Sequence, residues 1–301
     1  MLAHRIACLT AAATLALILA GGLVTDTGSA LAVPDWPTTF GYNLFLYPWS
    51  KMVGGVLYEH SHRLLGALVG LLTVGLALAL WRGERPGWVR ALGVAAVLLV
   101  AVQGVLGGLR VLLRAETIAI VHGCLAPAFF ALTVVLARVT GASWAASPPR
   151  APGGQLRVLA VAAGLVLYVQ IVLGALLTHR GWVGLHLAGA AAVFAFVPIV
   201  TARARATGEP ALVRPARVLL GLLLVQLLLG AGTFVARFSG LALPGGRATG
   251  LALPVAHRLV AALLLGQVAV LAAVLLRAGG AAAEPARRGT RLETVTLRSA
   301  P

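Results

Sequence analysis

Long apolar runs alternate with short polar segments along the whole chain. Each run contains few charged side chains and is about 20 residues long, which is the length a helix needs to cross the hydrocarbon core of a bilayer. Eight runs are present, at about 5–24, 62–81, 88–109, 117–138, 156–177, 182–202, 215–236 and 252–277. The pattern predicts an all-α integral membrane protein with eight transmembrane helices.

Composition agrees with this prediction. Of the 301 residues, 60% are hydrophobic and 11% are charged, and the mean hydropathy is +0.96. Eight spans leave little of such a chain for a soluble domain. The two cysteines, Cys8 and Cys124, fall inside predicted spans, so we interpret them as small apolar residues rather than as a disulfide or metal site.

The net charge is +16, and its placement predicts a topology. If the N-terminus is cytoplasmic, 16 of the 24 lysine and arginine residues fall in cytoplasmic segments. This bias follows the positive-inside rule and predicts that both termini are cytoplasmic. A nucleic-acid-binding surface would instead concentrate its basic residues on one element with interleaved aromatic residues, so we exclude that class.

Similar segments recur where the odd-numbered runs end. They read QGVLGGL (103–109), QIVLGAL (170–176) and QLLLGAG (226–232), and the first run ends as LAGGLVT (19–25). This similarity predicts two pseudo-repeated four-helix bundles. Because the repeat requires the first run, we expect it to be retained, although the ALA sequence at 30–32 resembles a signal-peptidase site.

The repeat also predicts domain boundaries. We expect an N-terminal half, a linker rich in proline and small residues, a C-terminal half, and a polar, arginine-rich cytoplasmic tail that is disordered. In that order, these segments are 1–140, 141–154, 155–278 and 279–301.

Every even-numbered run carries one histidine near its start: His62, His122, His186 and His257. The predicted topology puts all four at a similar depth towards the outer face, two in each half. Imidazole is an axial ligand of haem iron, and facing helices of a four-helix bundle can direct two imidazoles at one cofactor. Since a zinc or copper site would need three or four converging ligands, we predict one haem site per half, with these histidines as axial ligands.

Ionisable neighbours accompany the first pair and the last histidine. Glu59 precedes His62 by three residues, so it either transfers protons or stabilises developing charge, or it only favours the start of a helix. Arg63 and Arg258 directly follow histidines and either bind haem propionates or extend towards the membrane interface.

Two further histidines lie beside the predicted sites. His60 cannot share a helix face with His62, and we interpret it as a polar residue at a loop end. His179, in the segment THRGW, is interpreted as an interfacial residue.

The segment 24–60 is the longest connection predicted between spans. It contains aromatic residues, glycine and proline, unlike a disordered linker. Long loops in compact chains are often functional, and we predict that this one is a lid that packs on an apolar ligand.

VTDTGSALAVPDWP (24–37), followed by the E-x-x-H-R pattern of Glu59 to Arg63, resembles the signature of haem A synthases. The Q-x-x-L-G helix ends and the later histidine motifs resemble that family too, and the resemblance covers about 10–277. It implies an eight-helix membrane enzyme that oxidises the C8 methyl group of haem O to a formyl group in two steps. The product is haem A, for use in terminal oxidases.

The resemblance also implies roles for residues. The pair His186 and His257 would hold a haem b cofactor, with Arg258 beside it. His62 and His122 would hold the substrate haem O, with Arg63 beside it, and Glu59 matches a carboxylate that is needed for activity.

Many family members carry a cysteine pair in the first outer loop, and this chain has none there, which excludes a mechanism that uses those cysteines. The shared pathway implies a haem O synthase as a partner besides membrane lipid. A di-haem b-type cytochrome that only transfers electrons is the alternative function. A transporter is a weaker one, since it would predict broken helices and binding near the midplane.

Overall fold

The computed structural model describes residues 1–83, 85–145 and 153–296, without the side chains of residues 143, 145 and 279–296. Within these residues the chain is helical and has no strands, apart from an isolated bridge between Thr39 and Tyr42. Eight helices are long and apolar enough to cross a membrane, so this is a multi-pass membrane protein. The prediction of an all-α protein with eight helices able to span a membrane is confirmed.

The long helices follow the predicted runs. They are α1 (Leu2–Asp26), α2 (Gly55–Arg82), α3 (Gly87–Leu113), α4 (Glu116–Thr140), α5 (Gly154–Arg180), α6 (Val183–Ala206), α7 (Pro210–Phe238) and α8 (Gly246–Thr296). Two short helical segments, Trp49–Lys51 and Ala142–Ala145, lie between them.

The largest boundary difference concerns the segment predicted as the loop 24–60. Helix α1 continues to Asp26, and α2 begins at Gly55. Gly54, with a φ of +53°, supplies the left-handed backbone from which α2 starts. The connection, called the first loop below, is therefore 27–54, and both Glu59 and His60 are helical residues.

Neighbouring helices pack in two groups. Helix α1 contacts α2 and α4, and α3 contacts the same two helices. In the other group, α5 and α7 each contact α6 and α8. Buried apolar side chains form one cluster among α1–α4, around Leu80 and Leu136. Another lies mainly among α5–α8, around Val197 and Leu219, and includes Ala131 of α4. The groups meet where α8 packs on α1 and α4. That the two halves are repeats stays a prediction.

Much of the apolar surface of the helices points outwards. Leu71, Leu98, Leu165 and Leu224 are each at least 60% exposed although they lie in the middle of long helices. Large apolar side chains exposed in the middle of long helices are typical of helices that face lipid rather than water.

The end of the molecule that carries the first loop is called the loop end below, and the opposite end is the linker end. At the linker end, Trp144 packs against Arg138 and Arg277, with 5.6 and 4.7 Å between each guanidinium carbon and the ring centroid. The backbone of α8 is helical to Thr296, and 297–301 lie outside the described residues. Disorder of the tail stays a prediction.

Candidate functional site

All four predicted ligand histidines lie at the loop end. Each falls within roughly the first three turns of its helix, because α2, α4, α6 and α8 all begin there. All four are half-buried, namely His62, His122, His186 and His257. The sequence prediction that they share one depth therefore agrees with the helix boundaries.

The histidines face each other in the predicted pairs. The ring centroids of His62 and His122 are 6.5 Å apart, and those of His186 and His257 are 6.2 Å apart. An imidazole nitrogen binds a metal ion at about 2 Å, so two imidazoles on opposite sides of one ion have centroids about 6 Å apart. Each pair is therefore spaced for a single iron between its rings.

A glycine of the preceding helix lies against each imidazole. A Cβ atom added to that glycine would be 3.0 to 3.3 Å from the histidine Cε1 atom, closer than most real Cβ contacts. The glycine and histidine partners are Gly21 and His62, Gly107 and His122, Gly174 and His186, and Gly230 and His257. The glycines let the helices approach and fix the rings by contact.

Glutamines one turn before three of these glycines bind the same histidine residues. The Nε2 atom of Gln103 donates to the His122 carbonyl at 3.2 Å, and that of Gln170 to the His186 carbonyl at 2.9 Å. Gln226 Nε2 is 3.2 Å from His257 Nε2. The recurring Q-x-x-L-G helix end therefore packs against the histidines, a function that the sequence pattern did not reveal.

The donor set fits haem better than a smaller metal centre. Among the described residues, there is no cluster of three or more histidine, cysteine, aspartate or glutamate side chains that could hold an ion. The Nδ1 atoms of His62, His122 and His257 are buried without a hydrogen-bond partner in the same part of the chain. Facing imidazoles that offer these Nδ1 atoms suit an axially ligated porphyrin iron. His186 differs from the other three, because both of its ring nitrogens lie within hydrogen-bond distance of Gln170 Nε2, at 3.1 and 3.4 Å.

Glu59 and Arg63 join the first loop to α2. Glu59 is 4% exposed; its Oε2 accepts the Val33 N–H at 3.0 Å and its Oε1 the Arg63 Nη2 at 2.9 Å. Arg63 also donates to the carbonyls of Val33, Asp35 and Thr38 at 2.7 to 3.0 Å. These partners use all the N–H bonds of Nη1 and Nη2, so a propionate would have to bind Nε or displace one of them.

His60 also holds the first loop against α2. It is 1% exposed, shares a 3.0 Å hydrogen bond with the Thr39 hydroxyl, and packs on Tyr47 with centroids 5.0 Å apart. Tyr47 in turn contacts Phe40 and Tyr42. The interpretation of His60 as a polar residue at a loop end is therefore wrong, because the earlier start of α2 turns this imidazole under the loop.

Asp35 orders the turn that follows it. Its carboxylate accepts the N–H groups of Phe40 and Gly41 at 2.7 and 2.9 Å. Burial acts to raise the pKa of Asp35, but the hydrogen bonds from Gly41, Thr38 and Phe40 lower that pKa, and the net pKa lies below its ordinary value. The charged form of Asp35 thus stabilises the loop.

Trp36 brings the loop to the first histidine pair. Its indole lies directly on Gly108, where any added Cβ would overlap the ring. Gly108 adjoins Gly107, which contacts His122. A tryptophan from the predicted lid therefore covers the last turns of α3 next to the imidazole.

Arg258 forms an ion pair with Asp26 of the same chain. Its Nη1 and Nη2 atoms donate to both carboxylate oxygens of Asp26, at 2.6 and 3.0 Å. Arg237 donates to the same carboxylate at 3.0 Å. Asp26 ends α1 while the arginines lie on α8 and α7, so this network links the two halves, and sequence reasoning missed it.

The remaining candidates lie at the edges of the site. His179 and Arg180, at the end of α5, are 3.8 and 3.5 Å from the carboxylate of Glu116 at the start of α4. Two apolar clefts on the helix surfaces, of 590 and 410 Å³, have none of the four paired histidines in their walls. The histidine pairs and the first loop remain the candidate site.

Comparison with known proteins gives the family. Residues 4–183 match the family model described as cytochrome oxidase assembly protein. The chain belongs to this family. The matched residues include Glu59 and the pair His62 and His122, whereas His186 and His257 lie beyond them.

Two curated relatives carry the name heme A synthase. The protein of Shouchella clausii is 33% identical over 138 residues, which are 45% of this chain and 44% of the relative. That of Alkalihalophilus pseudofirmus is 35% identical over 101 residues, 33% of each chain. The chain thus spans less than half the length of these relatives, and the resemblance to haem A synthases is confirmed at the level of the family.

Proposed function

We propose that this protein is a haem A synthase, which oxidises the C8 methyl group of haem O to a formyl group in two successive steps. The observation that carries the proposal is the pair of facing imidazoles in each helix group, 6.5 and 6.2 Å apart. One such pair would serve a resident haem and the other a substrate haem. The names of the relatives support the substrate.

In this proposal the C-terminal pair, His186 and His257, holds haem b, which supplies one-electron chemistry when bound. Gly174 and Gly230 keep these imidazoles in place by contact, and Gln170 and Gln226 orient them.

The N-terminal pair, His62 and His122, holds the substrate haem O. The first loop covers it, and the loop's anchoring through Glu59, Arg63 and His60 excludes water from the edge where Trp36 lies. We assign Glu59 to catalysis as the carboxylate that stabilises positive charge developing near the reacting carbon.

We further propose that both termini are cytoplasmic, which puts the loop end and both haem sites towards the outer face. The basic residues of the linker end support this orientation through the positive-inside rule. Haem O would then reach the site from the membrane, delivered by a haem O synthase.

One observation favours the second candidate, a di-haem cytochrome. Each carboxylate oxygen of Glu59 already accepts one hydrogen bond, from Arg63 and from the Val33 N–H, so this side chain also has a structural use. A carrier of electrons would need the histidine pairs and no catalytic carboxylate.

The deciding experiment identifies the haems extracted from cells that express the protein together with a haem O synthase. We expect haem A, or its hydroxylated precursor, only when the protein is present. Accumulation of haem O beside protein-bound haem b alone would contradict the synthase and favour the cytochrome. A His62→Ala variant, which removes a proposed substrate ligand, is the matched control.

A further inference from the structure

Arg110 is a half-buried cation beside the first histidine pair. It lies in the last turn of α3 at the loop end. Four other arginines at this end have carboxylate partners: Arg63 pairs with Glu59, Arg180 with Glu116, and Arg237 and Arg258 with Asp26. The remaining two, Arg114 and Arg247, are exposed, unlike Arg110. Among the described residues Arg110 has no ion pair with a carboxylate.

The helix geometry directs Arg110 towards the imidazoles. Gly107 contacts His122, with a Cβ position 3.3 Å from Cε1. Arg110 follows it by three residues, so it shares that face and lies about 4.5 Å further along the axis, towards the loop. Its charge interacts with both His62 and His122, and with Glu59.

An anion bound to Arg110 would stabilise its charge. A cation partly removed from water is costly unless it is paired, and Glu59, the carboxylate with which its charge interacts, already binds Arg63 at 2.9 Å. Guanidinium groups match carboxylates through two parallel hydrogen bonds. A porphyrin such as haem O carries two propionate carboxylates at one edge.

The corresponding position in the other half has no charge. Counted from the glutamine and glycine that contact the histidine, Arg110 corresponds to Thr233 in the sequence Q-L-L-L-G-A-G-T of α7. The cation therefore distinguishes the first histidine pair from the second. In the second half, Arg258 follows the histidine, and it is bound by Asp26.

We propose that Arg110 binds a propionate of the porphyrin held between His62 and His122; this inference rests on the proposed function. The C8 methyl group of haem O shares its pyrrole ring with a propionate. Anchoring that propionate at Arg110 fixes the rotation of the porphyrin about the axis through the two imidazoles. It thereby holds one particular methyl group beside the loop that carries Trp36 and next to Glu59.

The test is a titration of the purified full-length protein with haemin and with its dimethyl ester, which lacks both carboxylates. Difference absorbance gives each Kd. The part of the absorbance change that is absent in His62→Ala is assigned to binding at the first histidine pair. We expect the diacid to bind at least tenfold more tightly than the ester, as suits a charge-assisted contact. Arg110→Gln should remove this preference while leaving the Kd of the ester within about twofold.

Two further variants complete the test. Arg114→Gln changes an exposed arginine one turn away and should keep the full preference for the diacid. Arg110→Lys keeps the charge without the bidentate geometry, so it should keep part of the preference for the diacid. If Arg110→Gln does not bind even the ester, a preference in Arg110→Lys that equals that of the unsubstituted protein would contradict the proposal, and a reduced preference would support it.

Undiminished preference in Arg110→Gln, with His62-dependent binding intact, would overturn the inference and leave the proposed function standing. If no haem binding depends on His62, the proposed substrate site fails and the inference fails with it.

Discussion

Single side chains carry most of the chemistry proposed for this protein, and Glu59 is the clearest case. Its carboxylate has two uses in the structure, since it anchors Val33 of the first loop and pairs with Arg63. Substitutions at this position therefore have to separate a chemical role from a structural one.

Glu59→Gln preserves size and removes charge. We expect bound haem to persist while formation of haem A falls by at least about 100-fold, as for loss of a catalytic carboxylate. Extraction and chromatography of the haems measure this. The control is Thr39→Val, which removes the hydrogen bond to His60 and loosens the same loop without touching the carboxylate; an equal loss in both variants would make Glu59 structural.

The glycines behind the imidazoles offer a second test. Gly230→Ala puts a methyl group 3.0 Å from Cε1 of His257, so the ring must shift away from its partner. We expect this variant to lose most of the haem b bound by the C-terminal pair, measured by the haem-to-protein ratio and the reduced absorbance spectrum.

Gly221→Ala, on the same helix, is the matched control, because its added Cβ meets nothing within 4 Å. Alanine favours the helix over glycine by about 1 kcal/mol at both positions, so a loss of haem at Gly230 alone would isolate the contact with the ring. Equal haem content in the two variants would contradict the role assigned to Gly230.

Among the elements, the first loop depends most on a few polar contacts. Its exposed aromatic residues cannot supply a core, so the hydrogen bonds of Arg63 and the packing of His60 under Tyr47 hold it on α2. The loop is ordered by its anchors rather than by secondary structure.

Arg63→Gln removes the guanidinium and leaves the buried Glu59 charge without its partner. Breaking a buried ion pair from one side costs about 3–5 kcal/mol, and we expect this loss to appear as local opening. Hydrogen exchange of the amides in 27–54 should accelerate by at least 100-fold, while that of α2 changes little. Lys51→Gln, which alters an exposed contact with Tyr42, should leave the exchange unchanged; identical exchange in both variants would argue against the anchor.

For the molecule as a whole, the network around Asp26 links the two helix groups at the loop end. Its carboxylate, 2% exposed, is shared by Arg258 of α8 and Arg237 of α7. The link holds α1, from which the first loop departs, against the half that carries the second histidine pair.

Asp26→Asn leaves both arginines without their anion. Because Arg258 is 30% exposed, we expect the free energy of unfolding to fall by no more than about 1.5–3 kcal/mol, the range of hydrogen bonds to charged groups. It should lower the apparent melting temperature in detergent by several degrees. A double-mutant cycle with Arg258→Gln should show losses that are less than additive, and fully additive losses would contradict the pairing.

Periodicity and composition predicted the eight helices, because a bilayer imposes one length and one chemistry on each span. The histidines could be placed at one end for the same reason: once the spans alternate in direction, their positions along the helices give their depth. The predicted start of α2 was too late, because the polar residues Tyr58, Glu59 and His60 are typical of a loop. In the structure they are helical, and the buried side chains of Glu59 and His60 form hydrogen bonds with the first loop.

The partners of the charged side chains could not be predicted from the sequence. Arg63 and Arg258 both follow histidines and look alike in the chain, yet one holds a loop and the other binds Asp26, more than 200 residues away. Such pairings depend on the rotation of each helix about its axis and on the angles at which helices cross. Many small side-chain contacts along the helix interfaces determine these angles together. The local chain therefore specified the spans, the depth of the histidines and their pairing, while the three-dimensional arrangement selected which glycines support the imidazoles and which charged side chains bind each other.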